Sequence, residues 1–529
     1  MWQKVWHKIN NSVTGGALII AFFSFLSKIF ALLRDRLIAH NFGAGSDADI
    51  YYSAFRLPDL IFNTLVLGAL TSAFIPVFQK AWSKDKKDGL ILANSVLNFF
   101  LLFIGALVII AYFYTPQLMA YITPGFDNEQ LPKVILLTRV MLLAILFFVG
   151  SNVIGGILNS WKKFFTFSMA ASFYNIGIIF GIVVLEPRMG LVGLAWGVVA
   201  GAVMHLLVQL PEVIKNGWRY RLSLRFDKNL RRILKLMLPR TLGLAAGQIN
   251  LVVTTMIAST LAAGSIAVFN LANNLQSLPV SLFAISLAIA VFPTFTQAVS
   301  EKNTKMFAEN FSISLRRILF LLIPVSVWVV ILRAQLVRVI LGSGKFDWPS
   351  TIATAQALGF FAISIFAQGL IPLLARSFYA HEDTKTPMMI SLFSISLNIL
   401  LSWLLAQTFG VLGLALAFSI SSIINMLLLY VFLNFKIKTI DNNKIFNSLI
   451  KICVFSFASG SVTYAVLYYL SLVMTTDTFI SIFTQGFVAG IFGLLSYLVL
   501  AIVFKLDEIA IVRTKLKKVL LLFKNGKNT

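Results

Sequence analysis

The chain has 529 residues, of which 58% are hydrophobic and only 12% are charged, and its mean hydropathy is +0.87. A soluble core cannot hide so much apolar surface, so the composition excludes a soluble globular protein and predicts a polytopic membrane protein. The formal net charge of +24 would favour a nucleic-acid partner in a soluble chain, but here the basic residues lie between apolar segments, where membrane topology explains them. The single cysteine, Cys453, excludes a disulfide framework and a thiolate metal site.

Apolar runs of about 20 residues or more, long enough to cross a bilayer, recur along the whole chain. The first run follows Lys4 and Lys8 without a small-residue cleavage site behind it, so we interpret it as a retained span. The runs predict an all-α fold with fourteen transmembrane helices, near residues 16–40, 50–78, 91–114, 134–158, 164–185, 189–211, 238–262, 268–298, 313–335, 351–375, 387–408, 411–434, 448–474 and 479–504.

The loops between these runs differ sharply in charge. If the N-terminus lies in the cytoplasm, 34 of the 44 Lys and Arg residues fall on the cytoplasmic side. The opposite loops, such as GAGSDAD and TTDTF, carry few of them. This asymmetry follows the positive-inside rule, and an even number of spans places the C-terminus in the cytoplasm as well.

Three short sequences recur in the same order at nearly one offset. AGS at residue 44 returns at 263, AFIPVF at 73 returns as AVFPTF at 290, and GLVGLA at 190 returns as GVLGLA at 410. Two six-helix lobes of the same orientation, related by an axis along the membrane normal, would produce this pattern. The predicted organisation is an N-lobe at 1–212, a basic cytoplasmic linker at 213–237, a second lobe at 238–434, and two further helices with a basic tail at 435–529.

The hairpin formed by residues 24–64 holds an unusual number of charges for two apolar helices. Each charge at the centre of a span costs about 2.5–3.5 kcal/mol, so several on neighbouring faces require a compensating reason. A water-filled cavity that receives a charged substrate is one such reason. On the first helix a polar stripe with helical spacing contains Ser27, Lys28, Arg34 and Asp35, and the second helix carries Arg56 and Asp59.

A purely structural interpretation of the same charges stays open. Arg34 can pair with a carboxylate near Asp35, and Arg56 can pair with Asp59, with no substrate involved. The corresponding part of the second lobe is chemically different, because its polar residues are neutral. They are Gln248, Thr255, Ser259, Asn270, Asn273, Asn274 and Ser277.

These two sets of residues predict a central cavity with one cationic wall and one neutral, hydrogen-bonding wall. Arginine binds phosphate bidentately and lysine binds it as a point charge, so the cationic wall favours an anionic, phosphate-bearing head group. A drug or cation exporter would need an acidic cavity, and the basic residues of the hairpin argue against one.

Other chemistry has little support in the sequence. The four histidines, at positions 7, 40, 205 and 381, are scattered without the spacing of metal ligands. No glycine-rich phosphate loop followed by Lys-Ser or Lys-Thr is present, which argues against ATP hydrolysis. We therefore expect no metal, no cofactor and no catalytic residues, and a transporter rather than an enzyme. The membrane potential alone, which is worth about 2.3 kcal/mol per charge per 100 mV, could drive an anion outward.

Several stretches resemble the MurJ family, also called MviN, over nearly the whole chain. They are LLRDRLIAHNFGAGSDADIYYSAFRLPDL, GALTSAFIPVF, GGILNSWKKF, GSGKFD at 342–347 and SFYAHEDTKTP at 377–387. The resemblance implies a lipid II flippase of bacterial cell-wall synthesis, within the superfamily of multidrug, oligosaccharidyl-lipid and polysaccharide exporters. It further implies a fourteen-span fold, a place in the bacterial cytoplasmic membrane, and lipid II and membrane lipids as partners, with cell-wall enzymes as a further candidate.

The resemblance also implies roles for individual residues. Arg34 would contact the pyrophosphate, and Ser27 and Lys28 occupy the Ser-Arg pair of the family with lysine in place of arginine. Asp35 and Asp49 match acidic residues of the family. The last two helices would form an apolar groove for the undecaprenyl tail. The candidate substrate-binding residues are Arg34, Lys28, Ser27, Arg56, Asp35, Asp49, Asn273, Asn274 and Gln248.

This chain departs from the family pattern at several cavity positions. Family members carry further basic residues where it has Phe62 and Asn63, and an Asp-Arg pair followed by an acid where it has Asn273, Asn274 and Ser277. Two alternatives therefore stay open: a flippase for another undecaprenyl-linked oligosaccharide, or a cell-wall scaffold that transports nothing.

Overall fold

The structure is a computed structural model that describes residues 13–476 and 478–509. Lys4, Lys8, His7 and the basic residues beyond 509 lie outside this described part of the chain. Within it, all regular secondary structure is helical, which confirms the predicted all-α class. The α-helices are α1 (Val13–Phe42), α2 (Ser46–Ala54), α3 (Arg56–Ile61), α4 (Thr71–Lys84), α5 (Lys86–Ile122), α6 (Gln130–Ser160), α7 (Phe164–Phe180), α8 (Glu186–Met189), α9 (Leu191–Leu207), α10 (Leu210–Lys215), α11 (Lys228–Ser259), α12 (Ser265–Pro279), α13 (Ser286–Ser300), α14 (Thr304–Leu341), α15 (Trp348–Ala362), α16 (Ile365–Ala380), α17 (Lys385–Phe409), α18 (Val411–Lys436), α19 (Asn442–Val473) and α20 (Phe479–Val503).

Short polar residues define where several of the long helices begin. Asp85, Asp227 and Asn303 each accept a hydrogen bond from a backbone N–H in the first turn of α5, α11 and α14. Asp441 and Thr478 do the same for α19 and α20. A side-chain acceptor at this position satisfies N–H groups that have no partner within the helix, so the polar loops fix the ends of the apolar segments.

Ten helical segments in the described residues are long and apolar enough to cross a membrane. Two further pairs, within α11 and at α15–α16, are bent by more than 40° and raise this number to twelve if each pair is one span. In a bilayer the helix is the structure in which such a run satisfies its own backbone hydrogen bonds. The multi-pass architecture is thereby confirmed, whereas the number fourteen stays a prediction.

The chain forms two compact units. The first contains the residues up to Ala267 together with Ser343–Asp347, and the second contains Val268–Gly342 and the residues from Trp348 onward. Helix α11 packs within the first unit, on the π-helical segment Phe62–Leu70 and on α4 and α5. The predicted lobe boundaries at residues 212 and 238 stay predictions.

The backbone repeats at the offset found in the sequence. Gly190 and Gly410, 220 residues apart, have nearly the same conformation, with φ/ψ of 58°/−145° and 57°/−136°. Three residues after each, Gly193 and Gly413 lie where an added Cβ would approach the preceding helix to 2.5 Å or less. Non-α segments also recur: the π-helical stretches 62–70 and 280–285 begin 218 residues apart. Only glycine accommodates these dihedral angles and close approaches readily, which explains why these residues recur in both halves.

In the second unit, Arg316 forms ion pairs with Asp507 and Glu508, in the segment that follows the last long helix, α20. Its guanidinium lies 2.6 Å from Glu508 and 3.4 Å from Asp507, and Ser448 donates to Glu508 at 2.8 Å. Because Arg316 and Glu508 are both buried, the pair would be costly to break. The end of α20 is therefore tied to α14 and α19.

Candidate functional site

Arg34 and Asp35, neighbours on α1, form an ion pair. Nε and Nη2 of Arg34 donate to Oδ1 of Asp35 at 3.0 and 2.7 Å. The side chain of Asp35 is 5% exposed, whereas that of Arg34 is 20% exposed. The guanidinium therefore keeps an accessible edge while an adjacent carboxylate balances its charge.

Asn175 on α7 positions Arg34, and the sequence analysis did not identify it. Its Oδ1 accepts a hydrogen bond from Nη1 of Arg34 at 3.2 Å, and its Nδ2 donates to Oγ of Ser27 at 3.3 Å. One amide thus joins two predicted site residues on α1. Three of the five N–H groups of Arg34 are engaged, which leaves two for another acceptor. The available signal was a lone amide in the apolar segment FFTFSMAASFYNIGIIF.

Lys28 lies on α1 two turns before Arg34 and is partly exposed. Ser27 and Arg34, seven residues apart, share a face of this helix and a partner in Asn175; that Lys28 acts together with them stays a prediction. Arg56 is more deeply placed, with 8% of its surface exposed, and its Nε donates to Oγ1 of Thr255 on α11 at 2.8 Å. The edge of Arg34 is therefore easier for a ligand to reach than Arg56.

Two residues assigned to the neutral wall contact the charged hairpin directly. Thr255 accepts the bond from Arg56, and Oε1 of Gln248 lies 3.5 Å from Nδ2 of Asn63. Both contacts join α11 to the segment that begins at α3. Sequence spacing could not predict them, since the partners are 199 and 185 residues apart.

An aromatic cluster replaces a charge that the family pattern led us to look for. The ring of Phe62 packs on Phe148 with the ring centres 4.7 Å apart, and Phe148 lies 5.2 Å from Tyr174 and 5.5 Å from His205. Tyr174 directly precedes Asn175, so this apolar cluster borders the Arg34 contacts. A benzene ring in place of a basic residue lowers the positive charge available to a substrate.

Asp49 serves as the N-terminal anchor of α12. Its Oδ2 accepts from the backbone N–H of Gly264 at 2.6 Å and its Oδ1 from that of Ala267 at 2.7 Å. A carboxylate at a helix N-terminus satisfies unpaired N–H groups and interacts favourably with the helix dipole. Since both oxygens are used and the residue is 4% exposed, the geometry gives Asp49 a positioning role.

Loops that are distant in the sequence pack closely together near Asp49. Gly264 has a φ of +91°, and a Cβ there would meet the carbonyl of Ala44. Gly344 has a φ of +55° and lies against His40, whose carbonyl accepts from the N–H of Lys345 at 2.8 Å. We call these segments, 40–46, 260–267 and 343–347, the loop cluster. The GSGKFD stretch singled out by resemblance lies in it.

Asn273 and Asn274 lie on α12 in the second unit, and both are partly exposed. The side-chain amide of Gln276 donates to Oδ1 of Asn273 at 2.9 Å, and Oγ of Ser277 donates to the carbonyl of Asn274 at 2.8 Å. The side chains named here are neutral and polar. Their placement opposite Arg34 in a shared cavity stays a prediction.

The second unit contains an apolar groove between α14 and α20; a groove formed by the last two helices, α19 and α20, stays a prediction. The groove between α14 and α20 has a volume of about 320 Å³, and Leu332, Leu336, Phe483 and Phe487 contribute to its walls. Gly486 and Gly490 of α20 also line it. A narrow groove with such walls suits a hydrocarbon chain.

Long apolar helices, an internal repeat and charged side chains held among those helices define a multi-pass membrane transporter. The family model described as lipid II flippase MurJ matches residues 38–504. The chain belongs to the lipid II flippase MurJ family.

Individual relatives and solved structures agree with this assignment. The chain is 32% identical over 417 residues to a probable lipid II flippase MurJ of Buchnera aphidicola subsp. Acyrthosiphon pisum, covering 78% of this chain and 81% of the relative. It is 28% identical over 425 residues to the lipid II flippase MurJ of Burkholderia cenocepacia, covering 78% and 82%. A solved lipid II flippase MurJ in an inward closed conformation aligns with a TM-score of 0.79 and 27% identity, covering 93% of this chain and all of that one. A multidrug transporter of the MATE family shares the fold, with a TM-score of 0.68 at 15% identity over 80% of this chain and 98% of that one.

Proposed function

We propose that this chain moves lipid II, the lipid-linked precursor of peptidoglycan, from the inner to the outer leaflet of the bacterial cytoplasmic membrane. The observation that carries the proposal is the agreement with a solved MurJ over 93% of the chain and the whole of its relative. A flippase relocates its substrate and changes no covalent bond, so the protein is a transporter. The distribution of Lys and Arg supports a cytoplasmic location for both termini.

The head group is the part of the substrate that requires a protein. Taking a charged pyrophosphate through hydrocarbon is prohibitive unless polar groups replace its water. The two unengaged N–H groups of Arg34 and the ammonium of Lys28, six residues earlier on the same helix, suit the pyrophosphate oxygens. The neutral amides of Asn273 and Asn274 suit the sugar and peptide groups. The repeat at an offset near 220 residues supports two lobes that expose this site alternately by rocking.

The undecaprenyl tail needs a separate, apolar path. The groove between α14 and α20 supplies hydrocarbon-compatible walls from Leu332, Leu336, Phe483 and Phe487. A tail held there leaves the head group free to move while its anchor stays in the bilayer. Changing Gly486 to Trp would fill the groove and is expected to lower flipping with little effect on head-group binding.

The test of the function is complementation of a bacterium depleted of its own lipid II flippase. Expression of this chain should restore growth and outward appearance of lipid II. Arg34→Ala should abolish both, because the accessible guanidinium is lost. The matched control is Arg188→Ala, since Arg188 is an exposed arginine on the short helix α8. Equal amounts of both variants in the membrane separate transport from insertion, and growth supported by Arg34→Ala would refute the assigned role.

The driving force we propose is the membrane potential, because moving an anion outward follows an inside-negative potential. Flipping in vesicles with a clamped potential and no ion gradient should proceed and should scale with the potential. A requirement for a sodium or proton gradient would refute this part.

A second candidate is a flippase for another undecaprenyl-linked oligosaccharide. Phe62, Asn273 and Asn274 favour it, since they leave the site with fewer charges than the family pattern. Failure to complement by a protein that is inserted and folded, together with export of a different lipid-linked glycan, would select this alternative. Complementation by Arg34→Ala would instead favour a scaffold that recruits cell-wall enzymes.

A further inference from the structure

A second apolar groove lies in the first unit and is lined by none of the residues that contact Arg34. Its volume is about 670 Å³. Leu97 of α5, Phe147 and Ile154 of α6, and Leu206 at the end of α9 form its apolar walls. Arg219 is the one charged residue among those that line it. A hydrocarbon-lined groove with a single guanidinium has the polarity of a lipid molecule, apolar over most of its length and anionic at one end.

The segment that carries Arg219 is held in place by buried amides. This basic strap, residues 216–227, joins α10 to α11 without helical structure. Nδ2 of Asn98 donates to the carbonyls of Arg221 and Ser223, both at 3.0 Å, and Nδ2 of Asn94 donates to that of Arg219 at 3.1 Å. Asn94 and Asn98 are 2% and 3% exposed. The strap therefore has a fixed backbone, and of its arginines Arg219 lines the groove.

The exposed side chains of the basic strap alternate between apolar and basic. Leu222 is 83% exposed, and Leu224 and Phe226 are each 55% exposed, next to the exposed Arg221 and Arg225. Large apolar side chains exposed beside arginines are typical of a surface that enters the boundary between lipid head groups and acyl chains.

The charge of this region is strongly positive. Residues 218–232 contain six basic residues and one acidic residue, Asp227. The guanidinium of Arg231 also lies over the ring of Phe226, 5.4 Å from the ring centre. Basic clusters that adjoin membrane spans attract anionic lipids. The charge therefore selects among the lipids that the apolar walls admit.

The geometry points to a binding site for a membrane phospholipid with an anionic head group. One acyl chain lies along Leu97, Phe147 and Ile154, and the phosphodiester accepts hydrogen bonds from Arg219. The neighbouring Arg221 and Arg225 favour an anionic over a zwitterionic head group. The site is independent of the proposed transport site, because it shares no residue with the Arg34 contacts or with the groove between α14 and α20.

Trp218 provides the measurement, since it lines the groove and is 4% exposed. The full-length protein is placed in phosphatidylcholine nanodiscs to which one brominated lipid is added. This lipid is either brominated phosphatidylglycerol or brominated phosphatidylcholine, and the bromine atoms of its acyl chains quench the fluorescence of nearby tryptophans. Quenching that is present in the wild type and absent in Trp218→Phe isolates this one tryptophan. We expect phosphatidylglycerol to quench it about fivefold more effectively at equal mole fraction, the preference that one well-placed cation gives near an anionic lipid.

Three variants decide the outcome. Arg219→Gln should remove the preference for phosphatidylglycerol. Arg188→Gln, which changes a control arginine outside the groove, should keep that preference. Gly150→Leu should fill the groove and reduce quenching by both lipids. Gly150 has room for a larger side chain, because an added Cβ would lie 3.5 Å from the nearest atom, on Leu206. Native mass spectrometry gives the same comparison of the two lipids without the Trp218→Phe variant, because it measures directly how much of each lipid stays bound to the protein.

Several results would overturn the proposal. Equal quenching by the two lipids, or a preference that survives Arg219→Gln, would exclude an anionic-lipid site. Displacement of brominated phosphatidylglycerol by equimolar undecaprenyl phosphate would make the groove a prenyl-chain site instead. Loss of quenching on addition of inorganic phosphate would mean that the strap binds a free anion rather than a lipid.

Discussion

Replacing Asp49 with alanine should release the first turn of α12 from the loop cluster. The carboxylate accepts two backbone hydrogen bonds, at 2.6 Å from Gly264 and 2.7 Å from Ala267. A hydrogen bond to a charged group contributes about 1.5–3 kcal/mol. Since about 1.4 kcal/mol corresponds to a factor of ten, each of these two amides should lose about 10- to 100-fold of its protection against hydrogen exchange.

The assay is hydrogen–deuterium exchange with mass spectrometry on peptides that cover residues 262–268. Asp47→Ala is the matched control, because Asp47 lies two residues earlier and is exposed. The amide of Gln368, bonded to the carbonyl of Ser364 at 2.9 Å in the second unit, is the internal reference and should not change.

Asp49→Asn sharpens the experiment. Its remaining carbonyl oxygen can still accept one backbone N–H, but its NH₂ group would face the second N–H without bonding to it. One of the two amides should therefore lose protection and the other should keep most of it. Unchanged exchange at Gly264 and Ala267 in Asp49→Ala would refute the reasoning, because the carboxylate would then contribute nothing to holding this turn.

Three further substitutions test other contacts. Asn175→Leu removes the amide that orients Arg34, so we expect outward flipping of lipid II to fall about fivefold, the effect of losing about one hydrogen bond. Unchanged flipping would contradict a positioning role for Asn175. Gly177→Ala places a Cβ 2.2 Å from the backbone of the adjacent helix α9 and should lower the thermal midpoint by several degrees, whereas Gly247→Ala, with open space around it, should not. Asp383→Ala removes the 2.8 Å ion pair with Lys436 and a bond to the first turn of α17, at a cost of about 1 kcal/mol. Burial alone would raise the pKa of the Asp383 carboxyl, but bonds to Lys436 and to that first turn lower it to about 2. The contribution of Asp383 to protein stability is therefore complete at neutral pH and is lost as the pH falls toward that pKa. A difference in thermal midpoint between the wild type and Asp383→Ala that does not change with pH would contradict this pH dependence.

The helices and the repeat could be predicted because their causes are local. An apolar run that crosses a bilayer must satisfy its backbone internally, so length and hydropathy alone predict a helix. Gly190 and Gly410 recur because both have a positive φ that favours glycine. A local signal also explains the SFYAHEDTKTP stretch, where Asp383 bonds to Thr386 at the start of the next helix.

The partners of the site residues depend on tertiary packing and could not be predicted. Asn175 contacts Arg34 across 141 residues, and nothing in an apolar helix indicates which neighbour its single amide will face. Asp49 is a sharper example, because its partners are backbone amides 215 and 218 residues away. Every residue except proline has such an N–H, so a backbone donor leaves no trace in the residue types.

The charges of the hairpin acquire a different meaning once their partners are known. Residues 24–64 contain four basic and four acidic side chains, so the hairpin as a whole is formally neutral. Asp49 is committed to a helix N-terminus and Asp35 to Arg34, and the second pairing reduces the cost of keeping a guanidinium among apolar helices. A pyrophosphate that reaches Arg34 can use only the N–H groups that Asp35 and Asn175 leave free, and the nearby carboxylate opposes its approach. Under the proposed function this arrangement limits the strength of binding, which is what a carrier requires if it must release the same head group on the other side of the membrane.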